Sequence, residues 1–353
     1  MLSRRDKRLT IIGIVVLGIV LFILNQVMAD YYLRIINLIG INIILVASLN
    51  LTNGFTGIFS MGHAGFMAVG AYTSALLTIP ITQKAALLPD LPLWLANLHV
   101  PFVAGLLAAG LMSMLFALLI GYPVLRLRGH YLAVATLGFL VIVRVVLTNI
   151  ESITRGARGI SGLPGVTNSW WIYGTLVIVM YCLWRFIHSS YGRGIMSIRD
   201  DDIAAQALGI NITTHKMMAF CIGAFFAGVG GALWGDQMSV ISPNFFSFNQ
   251  TFTLVEMSVI GGMGSMTGAV VGAAVMTIIP ELLRNLEVGI TIMGMTLPPL
   301  YGLSQLILAA LVVIVIIFRP QGIMGRWEFS WQHFAREKKK LRLQRQSSSE
   351  QEK

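Results

Sequence analysis

The sequence predicts an all-α polytopic membrane protein with about ten transmembrane segments, some of them broken or re-entrant at glycine-rich stretches. Of the 353 residues, 56% are hydrophobic and only 11% are charged, and the mean hydropathy is +0.77. Most apolar runs approach the roughly 20 residues that a helix needs to cross a bilayer. The runs are continuous and do not alternate with polar residues, so helices are favoured over a membrane β-barrel.

Ten apolar segments follow one another along the chain. They lie at about 9–28, 35–51, 66–79, 100–122, 131–148, 170–187, 216–234, 251–262, 265–279 and 299–318. The first follows basic residues, and a cleaved signal peptide is the alternative to a retained helix there. Residues 80–99 contain three prolines and are predicted to be an external loop. The junctions near 51–66 and 251–280 are short and rich in glycine, so either could be a broken or re-entrant helix.

The basic residues predict how the chain is oriented in the membrane. The formal net charge is +10, with basic clusters at residues 4–8 and in the tail. Because basic residues resist translocation, the N-terminus at 1–8, the loop at 188–215 and the tail at 319–353 are predicted to be cytoplasmic, around a transmembrane domain at 9–318. The tail is expected to be largely disordered and to lie on anionic lipid. No basic patch with interleaved aromatic residues indicates a nucleic-acid partner.

The sequence lacks recognisable catalytic motifs. It contains no HExxH helix, no GxSxG elbow and no GxxxxGK[ST] phosphate loop. Ser60 and His63 are three residues apart, but nothing at a recognisable spacing supplies the third group that would orient such a pair. The six histidines are scattered. We therefore predict a non-enzymatic chain with no metal site and no bound cofactor.

The glycine-rich stretch GFTGIFSMGHAGF at 54–66 is the candidate solute pathway. A broken helix exposes backbone dipoles to a passing polar solute, although tight helix packing would also explain the glycines. Polar residues at membrane depth are costly, so Asn50 and Glu256 are expected to face a partner or a cavity. The candidate pathway residues are Asn50, Gly54, Gly57, Ser60, Gly62, His63 and Glu256.

The densest acidic run lies in RDDDIAAQALGI, residues 199–210. Asp200 to Asp202 are predicted to cap a helix over 203–208, with Gly209 as its end. Their negative charge suits a helix N-terminus. A rigid cytoplasmic helix is useful to a protein that a cytoplasmic motor drives, and an ordinary capped loop helix is the alternative.

Six stretches of the chain form a recognisable series: LNLTNGFTGIFSMGHAGFMAVGAYTSALL (49–77), YLAVATLGF (131–139), GISGLPG (159–165), GRGIMSIRDDDIAAQALGI (192–210), GGMGSMTGAVVGAA (261–274) and FRPQGIMG (318–325). Together they resemble the branched-chain amino acid permeases of ATP-binding cassette importers, and their order and spacing resemble the larger of the two permease subunits.

The resemblance implies a multi-pass subunit of the bacterial inner membrane, with both termini in the cytoplasm. Its implied partners are a homologous second permease, two cytoplasmic ATP-binding subunits that would bind the ATP, and an extracytoplasmic solute-binding protein. The implied solutes are leucine, isoleucine and valine, with urea, amides or other amino acids as alternatives in the same family. An ion-coupled secondary transporter is a more distant alternative.

The resemblance also implies that 188–215 is a coupling loop whose helix docks on an ATP-binding subunit. The broader importer pattern has Glu before two alanines, whereas this chain has Ile203 there. The coupling residues implied are Arg199, Asp200, Asp201, Asp202, Ile203, Ala204, Ala205, Leu208 and Gly209.

Overall fold

The computed structural model describes residues 4–127, 129–288, 291–292, 295–296, 302–325 and 328, and these residues are mostly helical. The predicted tail at 319–353 therefore lies largely outside the described residues. The α-helices of this part are α1 (Arg4–Val27), α2 (Asp30–Asn50), α3 (His63–Thr78), α4 (Ile81–Leu87), α5 (Leu93–Ala96), α6 (Phe102–Val124), α7 (His130–Asn149), α8 (Glu151–Thr154), α9 (Ser169–Ile187), α10 (Ser190–Asp200), α11 (Asp202–Ala207), α12 (Ile212–Met238), α13 (Phe248–Gly261), α14 (Met266–Val288) and α15 (Leu303–Phe318).

Short irregular elements join these helices. A π-helix at Leu51–Phe55 continues α2, and 3₁₀ turns lie at Gly156–Arg158 and Pro243–Phe245. Two pairs of two-residue antiparallel strands complete the described elements: β1 (Ile160–Ser161) with β2 (Val240–Ile241), and β3 (Thr291–Ile292) with β4 (Met295–Thr296).

Six helical segments in the described part of the chain are long and apolar enough to cross a membrane. They are Asp30–Phe55, Phe102–Val124, His130–Asn149, Ser169–Ile187, Ile212–Met238 and Met266–Arg284. A seventh is possible if α3 and α4, which are bent by 116°, form one span. This agrees with an all-α polytopic membrane protein. Each predicted run coincides with a helix, but a count of about ten spans is not confirmed. Among the described helices, α3, α13 and α15 have only 16, 14 and 16 residues, and the apolar helical stretch of α1 is Val15–Val27.

Helix α12 lies at the centre of the bundle and packs against α2, α3 and α6. Small residues make this possible. A Cβ added at Gly231 would lie 2.1 Å from the carbonyl oxygen of Met67 on α3, and one added at Gly228 would lie 2.3 Å from Oγ of Ser113 on α6. The spacing of small residues along α12 thus allows two neighbouring helices to approach its backbone.

The predicted external loop at 80–99 contains two short helices, α4 and α5. Lys84 on α4 is 1% exposed, and its ammonium group donates hydrogen bonds to the carbonyl oxygens of Leu95 and Leu98. A buried ammonium must find acceptors, and one carbonyl group within α5 and one just after it provide them. The prolines predicted a loop here, but they did not predict its two short helices or this internal packing.

Candidate functional site

The glycine-rich stretch after α2 is a broken helix, as the sequence predicted. The π-helix ends at Phe55, residues 56–62 are irregular, and α3 begins at His63. Asn50 closes the last turn of α2 and is fully buried. Its Nδ2 donates to the carbonyl oxygen of Ser265 over 2.8 Å, and its Oδ1 accepts from the backbone N–H of Gly264 over 2.8 Å. One side chain therefore holds the broken helix to the turn between α13 and α14.

Two of the candidate glycines are required by this packing. A Cβ at Gly54 would lie 1.9 Å from Oδ1 of Asn50 and 2.3 Å from the nitrogen of Gly264, so any larger residue would displace the Asn50 contact. Gly57 has φ +71°, in the left-handed region that a residue with a Cβ rarely adopts.

The remaining residues of the break are held by local contacts. The side chain of Asn53 exchanges two hydrogen bonds of 3.1 Å with the backbone N–H and carbonyl of Ser60. Nε2 of His63 lies 2.9 Å from Oγ of Ser48, within hydrogen-bond distance. A Cβ at Gly62 would lie 2.7 Å from the carbonyl oxygen of Thr136 on α7. His63 is therefore partnered by α2 and does not pair with Ser60.

Glu256 does not share in this cluster. It lies on α13, is half-buried, and makes no hydrogen bond or ion pair with any residue that the structure describes. Six of the seven candidate pathway residues thus lie at one break, whereas Glu256 stands apart from their hydrogen bonds.

The acidic run begins a short helix, as the sequence predicted, but its three aspartates have different roles. Asp201 is the N-cap of α11, and its Oδ1 accepts from the backbone N–H groups of Ile203 and Ala204 over 2.9 and 3.0 Å. Asp202 is the first residue of α11, and Asp200 ends α10. A single carboxylate therefore caps the helix, with a second in its first turn.

Helix α11 ends at a glycine and presents apolar side chains. Gly209 has φ +83°, and the N–H of the next residue, Ile210, donates to the carbonyl oxygen of Ala205 over 3.1 Å. Within this segment Ala205 is buried, whereas Ile203 and Leu208 are 78% and 80% exposed. Ala204 is also exposed. The segment is thus rigid at both ends and carries two aliphatic side chains in solvent.

Arg199 links this segment to the broken helix. Its Nη1 donates to the carbonyl oxygen of Gly54 over 3.3 Å, and its Nη2 forms a 3.1 Å ion pair with Asp200. A Cβ at Gly264 would lie 3.0 Å from the same Nη1, so the guanidinium also lies beside the turn between α13 and α14. The segment before α11 therefore contacts both glycine-rich breaks.

Asp236, which no sequence pattern singled out, is 2% exposed near the end of α12. Its two carboxylate oxygens accept from the backbone N–H groups of Gly165 and Thr167 over 3.2 and 2.6 Å. The aspartate thus fixes the loop that follows β1. An acidic residue at the end of a long apolar run was the one feature of the sequence that could have drawn attention to it. Nothing in the sequence indicates that it binds the backbone of residues 165 and 167.

No group of three or more histidine, cysteine, aspartate or glutamate side chains lies together as a metal site in the part of the chain that the structure describes.

Comparison with known proteins gives a consistent picture. Residues 31–317 match the model of the family described as the permease component of the branched-chain amino acid transport system. The chain is 32% identical over 318 residues to the high-affinity branched-chain amino acid transport system permease protein LivM of Salmonella typhimurium, covering 80% of this chain and 68% of the relative. It is 31% identical to LivM of Escherichia coli K12 over the same shares of both chains. It is 24% identical over 294 residues to the permease protein LivH of Salmonella typhimurium, covering 78% of this chain and 88% of the relative. No solved structure gives a significant match.

Proposed function

This chain belongs to the family of permease components of the branched-chain amino acid transport system, and from that we propose that it is the larger permease subunit of an ATP-binding cassette importer for leucine, isoleucine and valine. The match extends over most of the chain, and the LivM relatives are named as permease proteins of a high-affinity branched-chain amino acid transport system. The chain is a multi-pass inner-membrane protein. Both termini are assigned to the cytoplasm on the basis of their basic residues.

The proposed importer contains three further kinds of subunit. The weaker similarity to LivH supports a homologous second permease in the same system. Two cytoplasmic ATP-binding subunits would bind and hydrolyse ATP, and an extracytoplasmic solute-binding protein would deliver the amino acid. No phosphate-binding loop occurs in this sequence, which is consistent with ATP being held by the partners.

Helix α11 is the proposed docking element, and its exposed aliphatic residues are the observation that carries this assignment. Ile203 and Leu208 are 78% and 80% exposed on a helix whose ends are fixed by Asp201 and Gly209. Burying each side chain in a groove of an ATP-binding subunit would contribute roughly 1.5–3 kcal/mol. The other residues of the proposed coupling segment support the helix: Arg199, Asp200, Asp202, Ala204 and Ala205.

The contacts of Arg199 provide a route from the docking element to the pathway. When an ATP-binding subunit moves α11, the guanidinium moves with the end of α10 and acts on the carbonyl of Gly54. Asn50 then connects this turn to the turn between α13 and α14. ATP binding would shift the balance between two bundle arrangements by interacting differently with each of them.

Reconstitution of the complete importer tests the proposal. Proteoliposomes with both permeases, the ATP-binding subunits and the binding protein should accumulate labelled leucine when ATP is supplied. A protonophore should leave uptake unchanged. An Ile203→Asp, Leu208→Asp variant should insert normally but lose uptake, and Ala204→Cys should cross-link to an ATP-binding subunit. Leu93→Asp, the same kind of change at a leucine that is 80% exposed on α5, is the control and should retain uptake.

Leucine uptake that continues without ATP, or normal uptake by the double variant, would overturn the proposal. Uptake of urea in place of leucine, isoleucine and valine would support the assignment as an importer subunit and contradict the assignment of its solute.

A further inference from the structure

The chain folds back after α15, and residues 319–325 make two backbone hydrogen bonds with the end of α13. The N–H of Ile323 donates to the carbonyl oxygen of Ile260 over 2.8 Å, and the N–H of Met324 donates to that of Gly261 over 3.1 Å. The last four carbonyl groups of a helix have no partner within the helix. The 319–325 segment therefore caps α13 from outside.

Glycines allow this segment to lie directly against the turn that follows α13. A Cβ added at Gly322 would lie 2.5 Å from Cα of Gly262 and 2.6 Å from its nitrogen, and one added at Gly262 would lie 2.8 Å from the carbonyl oxygen of Gly325. Gly322 and Gly262 also have φ of +82° and +121°, a region that residues with a Cβ rarely adopt. The contact thus requires glycine on both sides.

The same turn is held by the two residues that connect it to the broken helix. The backbone N–H of Gly264 donates to Oδ1 of Asn50 over 2.8 Å. A Cβ added at Gly264 would lie 3.0 Å from Nη1 of Arg199. The turn at 262–264 therefore contacts the end of α10, the end of α2 and the 319–325 segment.

Helices α13, α14 and α15 are closely packed with one another. A Cβ added at Gly261 on α13 would lie 2.0 Å from the carbonyl oxygen of Gly268 on α14, and one added at Gly272 on α14 would lie 2.0 Å from that of Met257 on α13. Helix α15 packs against both. The 319–325 segment continues α15 and bonds to α13, so it joins the ends of the three helices at the turn beside Arg199.

We propose that the 319–325 segment is a second coupling element, which makes α13, α14 and α15 move as one body when Arg199 moves. This role rests on the proposed function, because it requires an ATP-binding subunit to displace α11. If the segment were detached, the displacement would bend the turn at 262–264 and would not shift the three helices. Gly322 and Gly262 are positioning residues in this role, and it assigns a function to the FRPQGIMG stretch (318–325).

A Gly322→Ala variant of the complete importer in proteoliposomes tests the proposal. The added methyl group should push the segment away from Gly262. Hydrogen exchange in the peptide that contains Ile323 and Met324 should become at least about tenfold faster, because overpacking against backbone weakens both bonds. The number of leucine molecules transported per ATP hydrolysed should fall severalfold.

Gly162→Ala is the matched control. Gly162 has φ +80°, nearly the same as Gly322, but a Cβ there would have nothing within 4 Å. The substitution introduces the same backbone strain without the clash, so it should change neither the exchange of the 319–325 segment nor the leucine transported per ATP.

A second variant and the choice of readout separate coupling from simple stability. Met324→Pro removes the N–H that bonds to the carbonyl of Gly261 and adds no atom at Gly322, so it replaces Gly322→Ala if that variant does not assemble. A substitution that merely reduced the amount of assembled importer would lower uptake and ATP hydrolysis together. The leucine transported per ATP would then stay unchanged.

Failure of this role and failure of the importer assignment are distinguishable. Unchanged exchange in Gly322→Ala would contradict the close approach to Gly262, and faster exchange with unchanged leucine per ATP would show that the segment only stabilises the fold. Either result would overturn the coupling role while the unchanged importer still accumulates leucine with ATP. Uptake by the unchanged importer without ATP would instead reject the proposed function.

Discussion

The guanidinium of Arg199 donates a hydrogen bond to the carbonyl oxygen of Gly54 over 3.3 Å, although the two residues lie 145 positions apart in the chain. This contact joins the last turn of α10 to the broken end of α2. The arginine side chain is only 20% exposed, so the contact is largely shielded from water. Under the proposed function, a movement of the docking segment would be transmitted to the break through this one charged side chain.

Arg199→Gln should uncouple ATP hydrolysis from transport. A hydrogen bond from a charged group contributes about 1.5–3 kcal/mol, so its loss should lower leucine uptake about tenfold or more while ATP hydrolysis continues. Leucine uptake and phosphate release, measured in the same proteoliposomes, give the number of leucine molecules transported per ATP hydrolysed. Arg193→Gln is the control, because Arg193 lies on the same helix and its guanidinium, within the described structure, bonds to the nearby His188 and Ser190 and not to the broken helix. Equal uptake per ATP in both variants would contradict the role of Arg199.

Asn50→Leu should destabilise the fold. The substitution removes the acceptor of the Gly264 N–H, and a buried N–H left unsatisfied costs about 1–3 kcal/mol. It also removes one donor to the Ser265 carbonyl oxygen, which keeps the N–H of Ala269 as a second donor. The thermal unfolding midpoint of the detergent-solubilised complex should fall clearly. Asn149→Leu should change it little, because Asn149 is exposed and bonds a carbonyl of its own helix. Similar midpoints for the two variants would show that the Asn50 contacts contribute little.

The sequence predicted the helices of this fold better than it predicted their contacts. A run of apolar residues is a local signal, so each run gave a helix, and an aspartate before AAQAL gave a capped one. The side chain of Asn50 bonds to a turn that lies 214 residues later in the chain, and no local sequence pattern predicts a contact over such a separation. The count of about ten spans is not confirmed, because it included short apolar runs such as 251–262, where the helix α13 has 14 residues.

Gly70→Ala should destabilise the packing of α3 on α12. The added methyl group would lie 2.2 Å from the carbonyl oxygen of Gly228 and 2.4 Å from its Cα, and backbone atoms cannot move aside as a side chain can. Overpacking of this kind costs about 1–3 kcal/mol or more. Gly138→Ala on α7 has nothing within 4 Å and should be neutral or stabilising by up to about 1 kcal/mol. Unfolding of both variants under the same conditions measures the difference, and equal stability would refute the close approach.

Asp236→Asn should loosen the loop before α9. An amide replaces one of the two oxygens that accept from Gly165 and Thr167, and it presents its own N–H to a backbone N–H. Hydrogen exchange at the Thr167 amide should become faster, with a loss of about 1.5–3 kcal/mol of local protection. Asp90→Asn, in an exposed loop, is the matched control and should leave this amide unchanged. Unaltered protection at Thr167 in the Asp236 variant would mean that the loop is held by other contacts.

Glu287 should make the attachment of α15 dependent on pH. Its carboxylate, beyond the apolar span of α14, accepts from the hydroxyl of Ser304 over 2.7 Å and from the Ser304 N–H over 2.8 Å, and these bonds lower the pKa of Glu287 from its usual value of 4.5. A carboxyl whose pKa is lower in the folded chain stabilises it above the unfolded value and loses that contribution as the pH falls through the folded value. Protection of the Ser304 amide should therefore be constant above pH 4.5 and fall below it.

Glu287→Gln keeps a neutral acceptor but cannot titrate, so its Ser304 amide should show weaker protection with no such fall. Comparing the two proteins at each pH removes the intrinsic pH dependence of exchange. Glu281→Gln, on the same helix but paired with Arg284, should behave as the unchanged protein does. Parallel profiles for the unchanged protein and Glu287→Gln would show that this carboxylate does not hold the first turn of α15.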